Sequence, residues 1–290
     1  MKMYTRDKIK YILVLPAIVT LLFLTLYPTI FAYYLSVHDI TVRTFQNPKF
    51  VGIDNFLQVA INNQFWYSVG LTTLYASIVT PVEVVLGLFL AVLFNREIHC
   101  KRVIITLILA PLAVAPSLIA IMAKLMFNEF VGLVPYILRY FGISFSFFRD
   151  FNSSFSILIT MDVLQWTPFV FIILYSGLQA LPREPYEAAL IDGADPRRIF
   201  RYITLPLLKP LILLVTVLRV MDAYKVFEYV HITTGGGPGF LTTSATLFVY
   251  RAGFIHGNFG LAAATTLFLF YITVAGATIG LRVLRRVRII

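Results

Sequence analysis

The sequence predicts an all-α, polytopic membrane protein with six transmembrane helices, and three observations carry that prediction. Of 290 residues, 59% are hydrophobic and 13% charged, with a mean hydropathy of +0.84. Surface-to-volume scaling limits the apolar side chain a soluble domain can hide, so the excess calls for a bilayer. Long uncharged runs also recur along the whole chain, which favours one domain over 1–290 surrounded by membrane lipid. Finally, the basic residues behind a formal net charge of +10 gather at the ends of those runs. That is the pattern of topology signals and not of a nucleic-acid-binding face, so no nucleic acid is expected.

The apolar segments fall at 9–37, 66–94, 103–127, 155–180, 208–231 and 259–281. The first follows a basic start but is too long for the core of a signal peptide and lacks a small-residue cleavage site. Segments one, two and four exceed what a perpendicular helix needs, which predicts tilt or extension beyond the bilayer. Pro16 and Pro28, Pro81, Pro111 and Pro116, and Pro168 predict kinks in the first four. The connections 38–65 and 128–154 carry Pro, Asn, Ser and aromatics, the composition of short interfacial helices. Gly253 with Gly257, and Gly276 with Gly280, have the small-xxx-small spacing of helix packing. Six spans put both termini on one side with the second and fourth connections. That side holds sixteen Lys and Arg, from Lys2 to Arg288, against five in the other connections, which predicts cytoplasmic termini. Lys124, Arg219 and Lys225 fall within spans or at their ends.

Chemistry-bearing clusters are few. Cys100 is the lone cysteine, so there is no disulfide framework. His38, His99, His231 and His256 are scattered without metal-ligand spacing, and no nucleophile–base pair stands out, so a membrane enzyme is not expected. Gly235–Gly239 is not followed by Lys-Ser/Thr and predicts an external turn, not a phosphate cradle.

The connection over 181–207 is the most informative stretch. Pro185 suits a first helical turn, Glu187-Ala188-Ala189-Leu190-Ile191 are good helix formers, and Gly193 stands where a left-handed residue ends a helix. Asp195-Pro196 forms a fresh N-cap and N1 pair. A second helix turns Ile199, Phe200 and Ile203 to one face and Arg197, Arg198 and Arg201 to the other, and Pro206 is expected to close it. By itself this is either an amphipathic hairpin on the membrane surface or a rigid docking knob, with Ala188 and Ala189 small enough for close approach.

Glu187-Ala-Ala-Leu-Ile-Asp192-Gly193-Ala194, followed by Phe200 and Leu205-Pro206, resembles the EAA signature of binding-protein-dependent ABC importer permeases. Thr233-Thr-Gly-Gly-Gly-Pro238 resembles the external loop before the last span of maltose-type sugar permeases, and the order of spans agrees. The resemblance implies a permease subunit of an ATP-driven ABC importer in the plasma membrane of a prokaryote, moving a sugar such as the disaccharides trehalose or maltose by alternating access. It implies a second permease subunit, two copies of a cytoplasmic ATPase subunit and an extracytoplasmic solute-binding protein. ATP and Mg would reside on the ATPase, with no cofactor bound by this chain. Glu187, Ala188, Ala189, Asp192 and Gly193 would then couple to the ATPase.

Inside the spans, Asp162, Gln165, Trp166 and Phe169 share one helical face, and Arg219 and Asp222 lie three apart. Hydrogen-bonding groups beside aromatic planes suit a sugar, and with the charges they fit a disaccharide, a monosaccharide or a polyol phosphate; these positions fall where the maltose-type family lines its solute site. The charges stand where that resemblance leads one to expect neutral amides or hydroxyls. Each group has a structural alternative: an ion pair for Arg219 and Asp222, a neighbouring helix for Asp162. Glu83 and Lys124 read as structural or interfacial. The rival reading is an ion-coupled secondary transporter with Glu83, Asp162 and Asp222 as relay carboxylates. It predicts internal repeats and broken helices, shows no repeat, and leaves the 181–207 loop unexplained.

Overall fold

The computed structural model describes residues 3–286. Lys2 and Arg288 of the basic count lie outside the described residues, as do the side chains of 3–12, Arg285 and Arg286. Among the described residues, five helices are long and apolar enough to cross a membrane, and a sixth crossing is available if one bent pair forms a single span. The helices gather into two compact units: residues up to Asn63 with Val249–Tyr271, and Gln64–Phe248 with the chain from Ile272.

In the first unit, α1 (Met3–Ser36) runs unbroken through Pro16 and Pro28. The 18-residue apolar stretch at its heart has no buried residue, so its surface is left to lipid or to partners. A two-residue hairpin, β1 (His38–Asp39) with β2 (Lys49–Phe50), and α2 (Asp54–Ala60) follow. The buried Asn55 amide donates to Ser36 O at 2.9 Å and His38 O at 3.0 Å, satisfying a carbonyl that the end of α1 leaves open. Gly260 is required here, because an added Cβ would lie 2.3 Å from His38 O. Gly253 faces Ala262 at 3.2 Å, the close contact expected of it, but Gly257 is not helical. It turns the chain with φ +65° against Val42, since the helix has already ended near Ile255. Gly276 meets no neighbour within 4 Å, and the surroundings of Gly280 lie outside the described residues.

The second unit is built on α3 (Asn63–Phe94), α7 (Phe151–Gln179) and α10 (Leu205–Ala223), which pack Ala91, Phe94, Val170, Phe171, Leu174, Leu178, Leu208 and Val215 into one apolar core. Gly87 sets the approach of α3 to α7, since an added Cβ would meet Val170 Cγ1 at 2.6 Å. Pro81 and Pro168 stay inside continuous helices.

Two expected spans are broken. The third is not a kinked helix over 103–127 but α4 (Lys101–Leu109), a 3₁₀ turn over Ala110–Ala113, and α5 (Pro116–Met126), bent by 91°. Pro116 forces Ala115 out of the helical region (φ −62°, ψ 137°), so the helix must restart. The fifth does not run over 208–231: α10 stops at Ala223, and a π-helical turn resumes at Val230–Thr234. Val226 O in the gap accepts from the hydroxyls of Ser244 and Thr246. Of the connections, 128–154 carries α6 (Leu133–Tyr140), and 181–207 carries α8 (Glu184–Ile191) and α9 (Pro196–Ile199). Pro206 does not close the second helix of that loop. A π turn over Phe200–Thr204, closed by Leu205 N donating to Phe200 O, absorbs the missing proline N–H, and the helix continues from Pro196 to Ala223.

Candidate functional site

The charged residues of three spans meet at Arg219. Its side chain is 1% exposed, with Glu83 of α3 at 0% and Asp162 of α7 at 3%. Arg219 Nε and Nη2 donate to the two oxygens of Glu83 at 2.6 and 2.9 Å, the bidentate fit of a planar guanidinium to a carboxylate. Nη2 also donates to Asp162 Oδ1 at 3.1 Å, and Nη1 to Asp222 Oδ2 at 2.7 Å. Four hydrogen bonds thus engage a group that carries five N–H donors. Asp162 Oδ2 accepts from Tyr75 OH at 2.8 Å, and the guanidinium carbon sits 4.7 Å from the centre of the Trp166 ring. Burial of so many charges is tolerable because each is paired and hydrogen-bonded.

Beside this cluster lies a cavity of about 230 Å³, walled by Asp162, Trp166, Arg219, Asp222, Lys225, Glu228, Tyr229 and the backbone breaks at Pro116 and Ala223–Val226. Irregular backbone at membrane depth belongs beside such a cavity, which offers room where a continuous helix would fill space. Of the residues expected to line one site, Asp162, Trp166, Arg219 and Asp222 come together here. Gln165 and Phe169 do not line it. Gln165 Nε2 donates to Val114 O at 2.7 Å, capping a carbonyl freed by the third-span break, and its Oε1 accepts from Tyr229 OH. Phe169 stands edge-on to Trp166 at 5.9 Å and packs against the apolar core.

Glu83, expected to be structural or interfacial, is the bidentate partner of Arg219. The signal for it was present, since an acid in one apolar run and a base in another call for each other. Tyr75, Lys225, Glu228 and Tyr229 carried no comparable signal, because the break that brings the last three to the cavity cannot be read from hydropathy.

The second feature is the 181–207 loop. In α8, Glu187 and Ala188 are exposed and Ala189 half-buried; Asp192 and Gly193 beyond it are also exposed. Ala194 N donates to Ala189 O at 2.9 Å and Gly193 N to Leu190 O at 3.1 Å, closing the helix through Gly193 at φ +71°. Asp195 Oδ1 accepts from Arg198 N at 2.7 Å and caps α9. Tyr186 OH donates to Thr204 Oγ1 at 3.1 Å, tying the two helices together. The tip presents Leu190 at 65% and Ile191 at 87% exposure, an apolar surface between the two helices.

A family model described as "Binding-protein-dependent transport system inner membrane component" matches residues 83–289. The "Trehalose/maltose transport system permease protein MalF" of Thermococcus litoralis is 34% identical over 282 residues, covering 97% of this chain and 95% of that protein. The "sn-glycerol-3-phosphate transport system permease protein UgpA" of Agrobacterium fabrum is 32% identical over 269 residues, covering 91% and 90%. Among solved structures, a bacterial ABC transporter involved in import of the acidic polysaccharide alginate superposes with a TM-score of 0.84 at 21% identity, covering 97% of this chain and 96% of that one. That likeness is one of fold.

Proposed function

The chain belongs to the family of binding-protein-dependent transport system inner membrane components, and from that premise we propose that it is one translocating subunit of an ATP-driven importer for a sugar. A disaccharide of the trehalose or maltose kind is the solute class that its relatives' names and the cavity's aromatic wall support. The observation that carries the reading is the 181–207 loop. Its two capped helices and exposed apolar tip form a rigid knob whose second helix is continuous with the span that holds Arg219. Force applied to such a knob is transmitted along α10 to the cavity wall without an intervening flexible joint.

In this reading the knob seats in a cytoplasmic ATPase subunit, with Glu187 as a polar contact and Gly193 as the turn that sets its shape. Two ATPase copies, a second permease subunit, a different chain in most such pairs, and an extracytoplasmic solute-binding protein complete the complex. ATP and Mg belong to the ATPase. Their closure swings the spans between inward-open and outward-open states, and both termini face the cytoplasm. Asp162, Trp166 and Asp222 meet the solute, while Arg219 and Gln165 hold the wall in place. The broken third span is a feature that ion-coupled transporters also use, but that reading gives no role to an exposed loop of this shape.

Mild-detergent purification of the tagged chain from its native membranes, with mass spectrometry of what accompanies it, tests the reading. Recovery of an ATPase and a second six-span permease supports it. A chain that purifies alone and transports on an ion gradient overturns it.

A further inference from the structure

Building on the importer reading, we propose that the cavity selects against anionic solutes, and that Glu228, together with Asp222, is the specificity-determining residue. The ligand class is then an uncharged polyhydroxylated compound, not a sugar phosphate or a uronate. A relative named for a disaccharide is 34% identical to this chain and one named for a phosphorylated polyol is 32% identical, so kinship alone does not exclude a phosphorylated solute.

The choice follows from where the cations are committed. Three carboxylates (Asp162, Asp222 and Glu228) and two cations (Arg219 and Lys225) face the cavity. Arg219 is not available as an anion receptor. Its fork is closed on Glu83, which stands behind the cavity wall, and its remaining bonds go to Asp162 and Asp222. A phosphate or carboxylate group would need that bidentate face and would have to displace a buried carboxylate to reach it. Without Glu83, the three carboxylates and two cations of the lining leave a formal excess of one negative charge. Lys225 and Glu228 are both exposed and the Asp222 side chain is 39% exposed, so two carboxylates outnumber one lysine at the rim.

A cleft walled by one excess sign focuses its field and turns away like charge. The same carboxylate oxygens are acceptors for hydroxyl protons, and the half-buried Trp166 offers a ring to the C–H face of a sugar. Tyr229 contributes less to recognition, because its hydroxyl already donates to Gln165.

The test is binding to the purified importer complex without its solute-binding protein, so that only the membrane cavity discriminates. The probes are pairs that differ by one phosphate: trehalose with trehalose 6-phosphate, and glycerol with sn-glycerol 3-phosphate. The uncharged member of at least one pair binds at least about tenfold more tightly, the scale of one uncompensated like-charge contact. E228Q narrows that gap, E228K reverses it, and E228D, which keeps the charge, preserves it and controls for folding. Equal or tighter binding of the phosphorylated member overturns the proposal and leaves the importer reading standing. An unchanged gap in both E228Q and E228K removes Glu228 from the role. Binding of neither member of any pair overturns the carbohydrate assignment of the cavity, whereas the importer reading fails only if no ATPase accompanies the chain.

Discussion

Replacing Arg219 by methionine leaves Glu83 and Asp162 as acids with no cation in contact, both almost wholly inside the protein. Methionine fills much of the same volume, so the loss is electrostatic and not a packing void. Breaking a buried pair from one side costs about 3–5 kcal/mol, because the surviving charge stays desolvated. Glu83→Gln should behave differently. The amide oxygen still accepts from the guanidinium, Arg219 keeps Asp162 and Asp222, and the local excess of negative charge falls. Its cost is therefore about 1–2 kcal/mol, near that of one charge-assisted hydrogen bond. Arg219→Lys keeps the charge but loses the two-pronged contact and should fall between them. Reversible unfolding in bicelles by steric trapping at neutral pH measures all three. The reasoning is refuted if Glu83→Gln costs as much as Arg219→Met, or if Arg219→Met costs less than about 1 kcal/mol.

Four further outcomes are expected. Gly193→Ala meets no steric contact but places a side chain at φ +71°, so it should cost about 1 kcal/mol locally; like Glu187→Ala, it should lower solute-stimulated ATPase of the assembled complex while membrane insertion is unchanged, as read by assay of reconstituted complex. Trp166→Ala should raise the solute concentration needed for half-maximal uptake several-fold, and an unchanged value would return Trp166 to a purely structural role. Gly87→Leu forces atoms into Val170 and should destabilise by about 1–3 kcal/mol in a thermal-unfolding comparison. Asp150 caps α7 by accepting from Ser153 N at 3.1 Å and Ser153 Oγ at 2.9 Å, which holds its carboxyl below the usual range; its contribution is complete above the ordinary aspartate pKa and is lost as pH falls through the lowered one, so Asp150→Ala should flatten the acid limb of the stability profile.

The spans that stay continuous were legible because length and hydropathy suffice for them: α1, α3, α7 and the last helix (Phe259–Arg286) lie close to where the apolar runs place them. The cap residues Pro185, Gly193, Asp195 and Pro196 were legible as well, because each acts through its own backbone. Pro111 and Pro116 announced a disturbance but not its size. A right-angle break needs an acceptor's partner from elsewhere, and the one supplied to Val114 is Gln165, 51 residues away in sequence. Pro206 misled for the complementary reason, since a π turn lets a helix pass a proline at no outward sign in composition. The candidate site was half visible. Periodicity groups Asp162 with Trp166 and Arg219 with Asp222, yet it cannot show that Gln165 and Phe169 turn to other tasks or that Glu228 arrives through an interrupted helix.

The order of synthesis gives the Arg219 cluster a consequence for biogenesis. Glu83 emerges 136 residues before Arg219, and Asp162 emerges 57 before it. Each acid must enter the bilayer ahead of its cation, and a charge near a span's centre raises the insertion free energy by about 2.5–3.5 kcal/mol. Integration of the second and fourth spans therefore carries a penalty, offset by their many apolar residues, that is not relieved until the fifth arrives. A nascent chain truncated before residue 219 holds two unneutralised acids in lipid and so carries its own mark of incompleteness.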